Sequence, residues 1–196
     1  MTRAVAFRSA AVSCVRWRLM NWRAKRLLKR IGAIVPECFF SNGVPQIALN
    51  DLTKPEGARF DFGPFRGRIV LGKTSFNSLD ISPFPHGPVR LTLVRWGREP
   101  EQCGKIMVGN DSELSGTSIV SYVCVTIGQG VLFGPNVIIM DCDGHSVDRS
   151  IAEAVGNLRM APVVIEDKAW IGYGALIADS DESGHLFRSK ADTDSD

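Results

Sequence analysis

Paired cysteines are missing from this chain. Its five cysteines, Cys14, Cys38, Cys103, Cys124 and Cys142, are odd in number and contain no Cys-x-x-Cys. That argues against a disulfide framework or a zinc ribbon and suits a reducing compartment. No apolar run approaches the length of a membrane span. Acidic residues are absent from positions 1–30, which carry nine Arg or Lys. A secretory signal is disfavoured there, because Arg16 and Arg18 interrupt any apolar core. The net charge of +2 selects no class of partner, and 196 residues suffice for one domain with a sizeable core.

Within that acid-free segment, Val12, Val15, Leu19, Ala24, Leu27, Leu28 and Ile31 recur at helical spacing, with Trp17, Met20 and Trp22 beside them. The pattern predicts a basic amphipathic helix ending near Gly32, so that residues 1–32 form a unit. Three uses of such a helix stay open: packing on the rest of the chain or a partner subunit, lying on anionic lipid, and binding nucleic acid or serving as a presequence. Residues 33–104 hold eight of the ten prolines, a density that excludes long helices and central strands. Irregular, partly degenerate coils are expected here, with short strands at Arg68–Leu71 and Val89–Arg95. His86, in the loop from Pro83 to Pro88, reads as a polar loop residue.

A different order governs Val125 to Ile177. Large apolar residues fall six apart at Ile127, Phe133 and Ile139, and again at Ile165, Ile171 and Ile177. Small or β-branched residues follow four positions after most of them: Val131, Val137, Ala169 and Ala175. Val108, Leu114 and Val120 extend the series upstream, with one inserted residue before Ile127. Six is neither the helix period nor simple alternation. It fits a short strand plus a tight turn, three such units closing one triangular coil of a parallel β-helix. About three full coils result. Between His145 and Val163 an excursion containing Arg149, Glu153, Gly156, Asn157 and Arg159 breaks the repeat and projects as a loop.

These units resemble the hexapeptide-repeat acyltransferases, and most closely the maltose, galactoside and polysaccharide O-acetyltransferases. The carriers are Gly134-Pro135-Asn136-Val137, the segment around His145, and the run from Ala161 through Trp170 to Ala175. The likeness covers about residues 106–177. It implies an all-β chain folded as a left-handed parallel β-helix over residues 33–177, a homotrimer and acetyl-CoA as co-substrate; no resident metal and a cytoplasmic location are expected beside it from the ligand spacing and the cysteine usage. After Ile177 the repeat stops, where the family continues with further hexads. Residues 178–196, with six acids and little hydrophobicity, are expected to be a disordered tail, and the β-helix to be truncated. His185 lies in that tail.

Asp141, Asp143 and His145 are spaced two apart, so an extended backbone would present all three on one face. A histidine beside carboxylates suits a general base, although a plain surface-loop histidine has the same look. The resemblance implies that His145, with Asp143 and Asp141, deprotonates an acceptor hydroxyl for direct attack on the thioester. Cys142 alternates away and reads as a packed thiol. Asp141-Cys142-Asp143-Gly144 has the start of a calcium loop without its remaining ligands, and His86 with His145 are too few for the histidine sites of β-helix carbonic anhydrases. By resemblance Trp170, Tyr173 and Ala175 line the coenzyme groove, while Trp170 also suits packing between subunits. The sugar-contacting Asn of the family is absent from Leu114–Thr117, leaving Ser115 as a replacement, with Asn136, at the substrate. The leading expectation is an O-acetyltransferase acting on a sugar or polysaccharide-precursor hydroxyl, without nucleic acid, with peripheral membrane contact through the basic helix. The alternative is a non-catalytic relative with only an oligomeric role.

Overall fold

The computed structural model describes residues 2–78, 84–144 and 158–178, with side chains from residue 16 onward. Helix α1 (Thr2–Arg30) precedes fourteen short strands: β1 (Phe40–Ser41), β2 (Gln46–Asp51), β3 (Ile69–Leu71), β4 (Ser75–Phe76), β5 (Arg90–Arg95), β6 (Ile106–Val108), β7 (Glu113–Leu114), β8 (Ser118–Ser121), β9 (Val125–Ile127), β10 (Leu132–Phe133), β11 (Ile138–Met140), β12 (Val163–Ile165), β13 (Trp170–Ile171) and β14 (Leu176–Ala178). They form three sheets, all paired in parallel: A (β3-β6-β9-β12), B (β1-β4-β7-β10-β13) and C (β2-β5-β8-β11-β14). Each strand pairs with the strand three later, so the chain visits the sheets in rotation and advances one layer per circuit. The expected all-β chain with an N-terminal helix is what is observed, as a β-helix-like stack of three parallel sheets.

The stack is larger than the sequence period suggests. Five circuits are present among the described residues, because the proline-rich segment supplies two of them. In the first, Ile34 bridges to Val70 and stands in for a sheet A strand. The expected strands near 68–71 and 89–95 are β3 and β5. Insertions between strands break the spacing without breaking the register: Ile47 and Leu49 of β2 stand opposite Leu91 and Leu93, and Leu91 stands opposite Ile119.

Side chains of one phase fill the stack. Leu114, Ile119, Ile127, Phe133 and Ile139 are all buried, in one cluster with Phe76, Leu91, Ile69 and Ile106. One expectation needs correcting. Val120 is half-buried, and the inward position belongs to Ile119, which stands opposite Ile139. The turn Ser115–Thr117 is one residue shorter than Gly134–Val137, so the six-residue step fails there. In the last circuit Ile171 and Ile177 pack against the cluster but stay partly exposed.

Close stacking of the corners demands glycine at particular places. A Cβ on Gly109 would sit 2.5 Å from the Gly128 carbonyl oxygen, and one on Gly134 would sit 2.6 Å from Tyr173 N. Both partners are backbone and cannot swing aside. Helix α1 packs on the first circuit through Ala24, Leu28 and Ile31, and Asn21 Oδ1 accepts a hydrogen bond from Ser41 N (3.0 Å). The helix stops where expected. Gly32 takes φ +83° and Ala33 N donates back to Leu28 O, a left-handed C-terminal cap.

Candidate functional site

Two corners of the stack gather the residues singled out from sequence. The first is the turn from sheet C back to sheet A that begins at Asp141. Its side chain is fully buried, and its oxygens accept from Ser121 Oγ (2.7 Å), Tyr122 N (2.6 Å) and Val123 N (2.9 Å). Three donors around one carboxylate lock the previous circuit's turn, Ser121 to Val123, beneath it. Asp141 is thus committed to holding that turn.

Beyond it the chain leaves the stack as a paired stem. Cys142 bridges antiparallel to Met160, Asp143 N donates to Arg159 O (3.2 Å), and Ala161 N donates to Asp141 O (3.2 Å). Cys142 is buried, and Gly144, at φ +74°, donates its N–H to Cys142 Sγ (3.2 Å). Burial pushes the Cys142 thiol up, and nearby Asp141 and Asp143 push the same way; the Gly144 hydrogen bond pulls down without reversing the shift. A thiol so held stays protonated at neutral pH, which fits the packed reading and not a nucleophile. Burial also raises the Tyr122 phenol, helped by Cys142 and Asp141. Because Asp141 and Cys142 are consecutive and both buried, simple alternation does not govern this segment. His145, Arg149, Glu153, Gly156 and Asn157 lie outside the described residues, as does the expected tail from residue 179 on, with His185; its first residue, Ala178, belongs to β14.

The second corner joins sheet B to sheet C. Trp170 pairs with Leu132 on sheet B, and Leu176 with Ile138 on sheet C. All four are outward and exposed, Trp170 by 73%. Tyr173, exposed, occupies the turn between them, its hydroxyl 3.4 Å from Asn136 Nδ2. The result is an apolar edge running along two adjacent circuits. The outward phase expected for Trp170 is observed. Ala175 differs: it packs against the core instead of following Tyr173 along the edge.

Asn136 is committed elsewhere. Its Nδ2 donates to Pro85 O (2.9 Å), and its Oδ1 accepts from Gly87 N (3.3 Å). Asn77 completes the clamp from the other side, donating Nδ2 to Gly87 O (3.2 Å) and accepting from Gly116 N (2.7 Å). Both asparagines adopt left-handed backbone, φ 62° and 52°. Together they pin Pro85-His86-Gly87 against the corner beside Tyr173. His86 is half-buried in that pinned loop, its Nδ1 3.1 Å from Gly87 O. Sequence reasoning passed over Asn77, Pro85, Gly87 and Ser121. The usable signal was an Asn at a turn, a residue type that tolerates φ above zero.

Ser115 requires a correction. Its side chain is fully buried, and its hydroxyl has neither solvent access nor a hydrogen-bond partner among the described residues. So enclosed, it offers no accessible contact to a substrate. Among the described residues no group of three or more His, Cys, Asp or Glu is arranged to hold a metal ion. No family model, no curated protein and no solved structure matches this chain.

Proposed function

We propose that the chain is a coenzyme A-dependent O-acetyltransferase of the left-handed parallel β-helix class, acting on a sugar or polysaccharide-precursor hydroxyl and working as a homotrimer. The observation that carries the reading is the exposed edge of Trp170, Tyr173, Leu132, Leu176 and Ile138 on a stack of three parallel sheets. An uncovered strip of this kind suits a pantetheine arm lying along it and a neighbouring subunit closing over it. The hexapeptide spacing supports the same family.

In this reading His145, next in sequence after Gly144, is the general base. It takes the proton of the acceptor hydroxyl as the oxygen attacks the thioester carbonyl; the carbon–sulfur bond breaks, and the leaving thiolate takes a proton back. Asp141 serves by fixing the stem, and Asp143 by its place in it. Trp170 and Tyr173 bear on coenzyme binding, while Asn136 shapes the acceptor side by holding Pro85-His86-Gly87.

Titration of the purified protein with acetyl-CoA tests this, read by calorimetry and by tryptophan fluorescence in parallel with Trp170→Phe. Micromolar binding weakened in the variant, with acetyl transfer lost in His145→Ala, supports the assignment. Transfer that survives His145→Ala moves the chemistry elsewhere. A trimer without coenzyme binding favours the second reading, a non-catalytic chain whose apolar edge is only a subunit contact.

A further inference from the structure

We propose that the outward face of α1, with the groove it forms against the first circuit, docks the protein on an anionic lipid bilayer. The helix has two unlike sides. Ala24, Leu28 and Ile31 are buried against the stack, whereas Leu19 and Trp22 are about half exposed on the opposite side. Arg16, Arg23, Arg26 and Arg30 are exposed and share that outward side by helical spacing. Among the described residues the ion pair on the helix joins Lys29 to Glu37, so these arginines have no carboxylate partner there. Arg26 lies over the Trp22 ring, 5.2 Å from its centroid. Cations interleaved with Trp and Leu on one face are the signature of a helix lying in a headgroup layer.

The surface continues past the helix. Trp22, Arg23, Arg26, Leu27, Arg30 and Val44 line a groove of about 420 Å³. Leu27 and Arg30 also border a second hollow of about 320 Å³, whose apolar wall is Ile47, Leu49, Phe60 and Phe62. Phe60 and Phe62 meet edge to face at 5.0 Å and are both exposed, with Lys54 Nζ 5.8 Å from the Phe60 ring. Arg59 and Arg66 flank this pair beside one acid, Asp61, whose Oδ1 already accepts from Gly63 N (2.8 Å).

Charge alone would suit a nucleic acid equally well. The apolar half of the surface decides for lipid, because a phosphate backbone gains nothing from Leu19, Ile47, Leu49 or Phe62, whereas acyl chains remove them from water. The helix lies on such a surface and does not cross it: no described helix is long and apolar enough to span a membrane. Circuits stack about 4.8 Å apart, so the fifth, bearing Trp170, stands about 20 Å along the stack from the first.

The test uses the full chain with vesicles of phosphatidylcholine alone or mixed with phosphatidylglycerol, read by co-sedimentation. Binding is expected on the anionic vesicles and lost with added salt. The triple variant Arg23→Glu, Arg26→Glu, Arg30→Glu is expected to bind them on the order of 100-fold more weakly; these exposed residues leave the fold intact, checked by its melting curve. Bromine-labelled acyl chains are expected to quench tryptophan fluorescence, and Trp22→Phe to remove most of that quenching while Trp170→Phe leaves it. Equal binding to both vesicle types overturns the proposal, as does quenching that persists in Trp22→Phe. Tight binding of duplex DNA without vesicle binding would make the surface a nucleic-acid contact instead.

Discussion

The first two circuits and the last three follow the same plan with very different sequences. In the third to fifth, strands follow one another across turns of three or four residues, except at the excursion after Asp141. In the first two, proline-rich insertions separate β2 from β3 and β4 from β5. Yet the pairing is parallel and in register throughout, and Phe76 is as deeply buried as Phe133. A circuit is therefore defined by which side chains point inward at three places, and not by the number of residues between them. Insertions are accommodated at corners, where the chain leaves and re-enters the stack.

The largest expected effect tests that equivalence. Phe76 and Phe133 occupy one column of sheet B, with Leu114 between them in the pairing order β4-β7-β10. Each Phe→Ala change removes a buried ring from a packed interior and is expected to cost about 3–5 kcal/mol. Urea unfolding of both variants checks it. If Phe76→Ala costs under half of Phe133→Ala, the irregular circuits are a looser appendage and the comparison fails. Ile177→Ala, at a partly exposed position of the same phase, is expected to cost clearly less than Ile139→Ala.

Corner carboxylates offer a second contrast. Asp141 is held by neutral donors alone, whereas Asp51, in the first circuit, meets Thr53 and Arg95. Asp141→Asn keeps one acceptor oxygen and turns the other into a donor facing donors, so a loss of about 2–3 kcal/mol is expected. At Asp51 burial favours the neutral acid, but hydrogen bonds from Thr53 Oγ1 (2.6 Å) and Thr53 N (3.1 Å), then the charges of Arg95 and Lys54, outweigh it and lower the pKa. A lowered folded-state pKa contributes stability that is complete above the unfolded value and is lost as pH falls through the folded one. Asp51→Asn should thus cost about 1–2 kcal/mol near neutrality, and the gap from the parent should shrink as pH drops below the ordinary carboxylate range. A gap that is constant with pH would show that shape and not charge matters at this corner.

These two corners also show what was legible in sequence and what was not. Ile127, Phe133 and Ile139 announce their circuit because nothing interrupts the six-residue step. Leu91 and Leu93 announce a strand by alternation but not its place in a stack, since the neighbours above and below lie across insertions. The helix was legible to its last turn, from Leu27, Leu28 and the cap at Gly32. The site was legible only in part. Trp170 and Tyr173 stand outward as their phase requires. Ser115 went wrong because burial at a turn depends on what packs over it, which local spacing does not show. The clamp on Pro85-His86-Gly87 joins Asn77 and Asn136 to a loop ten and 51 residues away, and no local pattern encodes a contact of that span.

The smallest expected effect concerns a corner that separates the two regions. At the turn from sheet A to sheet B, Asp111, Gly130 and Lys168 occupy successive layers, all in left-handed backbone at φ 57°, 64° and 60°. Lys73 holds the corresponding place in the second circuit without that conformation, so the left-handed corner belongs to the last three circuits alone among the described residues. A residue with a Cβ is strained there by about 1–2 kcal/mol, with Asp more tolerant than Lys. Glycine removes the strain but adds freedom to the unfolded chain, which returns part of the gain. Lys168→Gly is accordingly expected to stabilise by about 0.5 kcal/mol. Asp111→Gly should be near neutral, since Asp starts with less strain and the change also removes the exposed pair with Lys73 Nζ (3.0 Å). Denaturant midpoints of the two variants separate these outcomes. Destabilisation by Lys168→Gly would mean that the lysine side chain makes a contact worth more than the strain it carries.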